Sequence, residues 1–82
     1  MASIYTGRSK ALANLPFDNE IKTLRFLGGE MTQGELGDKV GVTRQTIAAI
    51  EQGKYSPSLE VAFRIARVFD KPLEEVFSWD EG

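Results

Sequence analysis

The stretch from Thr32 to Gly53, TQGELGDKVGVTRQTIAAIEQG, constrains the fold more than any other part of the chain. It reads as two short amphipathic helices with almost no chain between them. Thr32 followed three residues later by Glu35 forms a capping box, in which the hydroxyl accepts from the backbone of the first turn and the carboxylate reaches back to the cap. Leu36 and Val40, four apart, share one face, while Gln33, Glu35, Asp38 and Lys39 take the other positions. Gly41 supplies the positive φ that a helix terminus commonly needs. Thr43 then caps a second helix running to about Gln52 and closed by Gly53. The turn is therefore only about Gly41 to Val42. In the second helix Ile47 and Ile50 point inward with Val42, leaving Arg44, Gln45, Ala48 and Ala49 facing elsewhere. Gly37 sits in mid-helix beside Leu36, where glycine costs about 1 kcal/mol against alanine. It predicts a close backbone approach; the plain alternative is a tolerated surface glycine.

Gln33, Leu36, Gly37, Gly41, Val42, Thr43, Ile47, Ile50, Glu51 and Gly53 together resemble the helix-turn-helix of the Cro and phage-repressor family of DNA-binding proteins, often called the xenobiotic response element family. Downstream, SPSLEVAFRIARVFDKPLEEVF resembles that family's fourth and fifth helices, so the likeness covers roughly Asn19 to Phe77. The resemblance implies an all-α fold, a compact five-helix lambda-repressor-like DNA-binding domain with a central helix-turn-helix. It also implies a sequence-specific regulator of transcription, a repressor, that binds double-stranded DNA as a homodimer on a two-fold symmetric operator. On that reading helix 43–52 enters the major groove with its N-terminal residues nearest the base edges.

Arg44 and Gln45 are the expected base readers, arginine matching the two acceptors of guanine and glutamine the acceptor and donor of adenine. Thr43 is placed to touch a thymine methyl or a phosphate while capping, and Ala48 and Ala49 are small enough for close approach and for apolar contact with a methyl. Gln33, at the N-terminus of the preceding helix, is expected to bond a phosphate, helped by that helix's dipole. Thr46, Lys54 and Tyr55 would add backbone contacts that position without specifying sequence. Arg25 and Glu51 match a family ion pair joining the first helix to the end of the recognition helix, and are read as structural. The alternative for Arg44, Gln45, Lys54 and Tyr55 is an ordinary solvated side chain, and it weighs most at Lys54 and Tyr55.

The remaining chain is read less sharply. Its 82 residues suffice for one core, divided here into an N-terminal arm over 1–17, the domain over 18–78 and an acidic tail over 79–82. The arm has no clear period. It is read as mobile, with a basic arm on DNA or a segment ordering against a dimer partner as alternatives. A first helix is expected from Asp18 or Asn19 to Leu27, with Phe17, Ile21 and Leu24 inward. Gly28 and Gly29 end it as a turn, since no strand precedes them and no GK[ST] follows. The fourth helix, capped by Ser58 or by Ser56 with Pro57 at its first position, carries Leu59, Ala62, Phe63, Ile65, Ala66 and Phe69 as an expected core stripe. Leu73, Val76 and Phe77 fit a short last helix and, with Trp79, are the expected dimer interface, the alternative for Trp79 being that it folds back on the core.

There is no cysteine and no histidine, which removes disulfides, thiolate metal sites, the usual general base and the commonest metal ligand. No metal, no cofactor and no enzymatic activity are expected. No apolar run approaches membrane-span length and the start is no signal peptide, so a cytoplasmic protein is expected. The formal net charge of −2 runs against a nucleic-acid binder. Its distribution does not: residues 1–69 carry nine basic and seven acidic side chains, a balance of +2, and residues 70–82 carry one against five, a balance of −4. Other partners weighed are a toxin, with this chain as its antitoxin, and a co-regulator bound by an adaptor of the same fold.

Overall fold

A computed structural model describes residues 17–79. The elements are β1 (Phe17–Asn19), α1 (Ile21–Leu27), α2 (Gln33–Val40), α3 (Arg44–Glu51), α4 (Leu59–Val68), α5 (Leu73–Val76) and β2 (Phe77–Trp79). Five helices and one small sheet thus make up the described chain.

The helix boundaries follow local chemistry. Thr32 accepts from the Glu35 amide while the Glu35 carboxylate accepts from the Thr32 amide, the full capping box. Gly41 ends α2 at φ 84°, in the left-handed region where a side chain is strained. Thr43 caps α3 and Ser58 caps α4, each hydroxyl accepting from the amide three residues on. Such a cap is worth about 1 kcal/mol. Gly37 is the close approach expected of it: a Cβ there would lie 2.6 Å from the Val42 carbonyl oxygen. α2 and the turn into α3 meet backbone to backbone at that point.

Ile21, Leu36, Val40, Ile47, Ile50, Ile65, Ala66 and Val76 form one core, drawn from all five helices. Ile21, Leu36, Ile47, Ile50 and Ile65 have no exposed surface. Burying each stabilises by about 1.5 to 3 kcal/mol. α2 packs on both α3 and α4, and Ile21 of α1 joins the same core.

Three expectations need correction. The chain is not helical from Asp18; Phe17, Asp18 and Asn19 pair antiparallel with Trp79, Ser78 and Phe77. The Asn19 backbone is taken into the strand pair opposite Phe77, and its side chain fastens the start of α1. Its Oδ1 accepts from the Ile21 amide and its Nδ2 donates to the Ile50 carbonyl at 2.9 Å. The Glu20 amide donates to the Val76 carbonyl, which locks the start of α1 to the end of α5. Consequently Phe17, assigned to the arm and the inward stripe, and Trp79, assigned to the tail, are strand residues of the domain. Residues 1–16 and 80–82 of those segments lie outside the described residues. Finally, the core stripe of α4 is narrower than expected: Ala62, Ile65 and Ala66 are buried, but Leu59 is 68% and Phe63 49% exposed. At about 100° per residue, Phe63 stands on the far side of the helix from Ile65, so it cannot share the face that Ile65 buries.

Candidate nucleic-acid interface

α3 presents opposite chemistry on its two sides. Ile47 and Ile50 are sealed in the core, while Thr43, Arg44 and Gln45 at its start are exposed. The buried side fixes the rotation of the helix, and so fixes which residues stand out from the surface. Thr43 Oγ1 accepts from the Thr46 amide at 3.1 Å and shares a hydrogen bond with Thr46 Oγ1 at 3.0 Å. Both hydroxyls take part in holding the first turn. Ala48 and Ala49 are half-buried one turn further on. The five base-contact candidates therefore occupy one end and one flank of a single rigid helix.

The N-terminus of α2 lies beside that end. A Cβ on Gly34 would stand 3.9 Å from Arg44 Cδ, so the arginine stem runs past the first turn of α2. Gln33, the first residue of α2, is half-buried and its Nε2 donates to Glu51 Oε1 at 3.1 Å. This bond went unread in the sequence, since the two residues come from different helices and have no periodic relation. Lys54 and Tyr55, beyond the end of α3, are exposed, Tyr55 by 51%. They are available for contact and no internal partner organises their side chains among the described residues.

Arg25 and Glu51 form the expected ion pair. Arg25 Nε reaches Glu51 Oε2 at 2.7 Å and Arg25 Nη2 reaches Oε1 at 3.1 Å, a two-pronged contact, with the side chains only 15% and 8% exposed. Arg25 Nη1 also donates to the Met31 carbonyl at 2.8 Å. One guanidinium thus ties α1, the loop before α2 and the end of α3 together.

The four expected interface residues fare differently. Val76 is 1% exposed and belongs to the core, so it is withdrawn as a contact residue; its side chain seals α5 against the rest of the domain. Leu73 is half-buried, and Phe77 packs edge-on against Phe17 with ring centroids 6.1 Å apart. Trp79 remains 56% exposed. Leu73, Phe77 and Trp79 line, with Phe17, Pro57 and Leu59, an open apolar cleft of about 480 Å³. Leu59 is a member of that surface which the periodicity of α4 assigned to the core. Its position in the first turn, ahead of Ala62, was the available clue. The acidic α5 packs on α4 and β2.

No helix among the described residues is long and apolar enough to cross a membrane. Known proteins agree with the geometry. A helix-turn-helix family model matches residues 26–76. The chain is 48% identical over 63 residues to an uncharacterized HTH-type transcriptional regulator of Methanocaldococcus jannaschii, covering 77% of this chain and 94% of that one. It is 32% identical over 65 residues to the cryptic phage CTXphi transcriptional repressor RstR of Vibrio cholerae, covering 79% of this chain and 58% of RstR. Among solved structures, the restriction-modification controller protein C.AhdI from Aeromonas hydrophila superposes with a TM-score of 0.61 at 25% identity, over 67% of this chain and 82% of that one.

Proposed function

The chain belongs to the helix-turn-helix family, and from that premise we propose that it is a sequence-specific repressor that reads double-stranded DNA as a homodimer. DNA-binding regulation of transcription is the common ground of its relatives. The observation that carries the finer reading is the pairing of an exposed Arg44 and Gln45 with an Ile47 and Ile50 that have no exposed surface. A helix held this rigidly offers its N-terminal side chains to the major groove without further ordering of the backbone. Arg44 takes a guanine, Gln45 an adenine, and Gln33, Thr46 and Lys54 the flanking phosphates. That RstR is a repressor supports repression over activation.

Selection of bound duplexes from a random pool, repeated with Arg44→Ala and Gln45→Ala, tests the reading. The expected result is a two-fold symmetric site, with each variant relaxing one position per half-site by about 1 to 3 kcal/mol. Enrichment of no sequence by the wild type would sink the regulator reading.

A single domain spans too few bases for operator-level discrimination, and two α3 helices roughly 34 Å apart would meet consecutive turns of the major groove. The exposed Leu59 and Trp79 flanking the apolar cleft are the surface we assign to the two-fold contact, since a symmetric interface meets its own copy with the same patch. Trp79→Asp is expected to convert the dimer to a monomer in sedimentation velocity and to weaken operator binding. A wild type that sediments as a monomer at tens of micromolar would remove this surface from the account.

A further inference from the structure

We propose that the Arg25–Glu51 pair is part of the DNA-binding apparatus: Glu51, held by Arg25, positions the side-chain amide of Gln33 so that its second N–H is presented to a DNA phosphate before DNA arrives. This rests on the DNA-binding reading above and assigns Glu51 as a positioning residue within it.

The argument starts from hydrogen-bond inventory. Glu51 Oε2 receives Arg25 Nε at 2.7 Å, and Oε1 receives both Arg25 Nη2 and Gln33 Nε2 at 3.1 Å. A carboxylate can only accept, so the face of the Gln33 amide turned to it is its NH2 group, and the amide orientation is settled by chemistry. That NH2 group has two hydrogens. One is held by Glu51, and among the described residues no hydrogen bond accounts for the other. With one N–H held by Glu51 and the amide tethered through its own side chain to α2, the directions open to the second N–H are restricted before DNA arrives.

The direction matters because of where Gln33 sits. It is the first residue of α2, immediately after the Thr32 cap, and its neighbour Gly34 adjoins the stem of Arg44. Gln33 therefore stands at the positive end of a helix dipole, next in the chain to the glycine that adjoins the expected base reader. A free glutamine there would lose much of its rotamer freedom on meeting DNA; here folding has already removed it. The arrangement also answers an electrostatic objection. A lone carboxylate next to a phosphate contact would repel the backbone, but Glu51 is matched by the bidentate Arg25 guanidinium and only 8% exposed.

The test couples the two sites. On the duplex recovered by selection, Gln33→Ala in the otherwise wild-type protein is expected to weaken binding about tenfold, the value of a hydrogen bond to a charged group. In an Arg25→Met, Glu51→Met background, where the acceptor is replaced by apolar side chains, the same substitution is expected to change affinity less than about twofold, because Gln33 has already lost its anchor. A purely structural pair would leave the cost of Gln33→Ala the same in both backgrounds, and that result overturns the proposal. So does a Gln33→Ala that binds like the wild type. A second measurement needs no variant to fold: in the DNA-free wild type, side-chain amide relaxation should report Gln33 as rigid as the backbone, with an order parameter near about 0.85, and Gln45 below about 0.6. A mobile Gln33 amide also overturns the proposal. Failure of the wild type to bind any duplex is a different outcome, which removes the DNA-binding reading itself.

Discussion

Arg25→Met is expected to destabilise the domain by about 3 to 5 kcal/mol, because it strands the Glu51 carboxylate in a nearly closed site. Glu51 keeps 8% of its side-chain surface exposed and loses both prongs of the guanidinium, leaving Gln33 as its remaining hydrogen-bond donor. The Met31 carbonyl loses its donor as well, so the loop before α2 loosens with the pair. For a domain of this size each kcal/mol lowers the melting temperature by about 4 to 8 °C, and a drop of more than about 12 °C in a circular-dichroism melt is the expected reading. Removing both charges is the informative control. In the Arg25→Met, Glu51→Met protein no ion is left unpaired, and a buried ion pair replaced by apolar side chains of similar size is often near neutral. Recovery of most of the lost stability is therefore expected. A single variant that melts within a few degrees of the wild type would mean that water reaches Glu51 and supplies what Arg25 did.

Gly37→Val is the second substitution with a large expected effect, about 3 kcal/mol, and here the cause is volume. Even a Cβ would stand 2.6 Å from the Val42 carbonyl oxygen and 3.3 Å from the Thr43 carbonyl. All of these atoms are backbone, so no side chain can swing away to make room. Two further methyl groups force α2 and the turn into α3 apart, and overpacking of this kind typically costs 1 to 3 kcal/mol, occasionally more. The separation also moves Gly34 from Arg44, so DNA affinity should fall even at temperatures where the variant stays folded. Denaturant unfolding and operator titration on the same preparation separate the two effects. Wild-type stability in Gly37→Val would show that the contact has slack that the geometry denies.

These two residues also mark what the amino-acid sequence makes legible. The capping box at Thr32, the turn at Gly41 and the cap at Thr43 act over three or four residues, within the reach of backbone and neighbouring side chains. The alternation of Leu36, Val40, Ile47 and Ile50 with polar positions carries its own period, and all four are buried as that period requires. The outward placement of Arg44 and Gln45 follows from the same count, because a helix that buries two residues commits the rest. The Arg25–Glu51 pair was legible only by resemblance, since nothing local connects residues in separate helices.

What the tertiary structure alone decided lies where partners are distant in the chain. β1 and β2 are three residues each, too short to show alternation, and each is a strand only because the other is beside it. The start of α1 is set by Asn19 reaching the Ile50 carbonyl and by Glu20 reaching Val76. Leu59 and Phe63 fit a helical stripe but overhang its edge, while Val76 is taken into the core and Trp79 is left at the surface. The Gln33–Glu51 bond belongs to the same class. Local rules choose between helix, turn and cap because those states differ within one or two turns of chain, whereas which apolar residue is covered, and which amide meets which carboxylate, depends on how the finished helices pack.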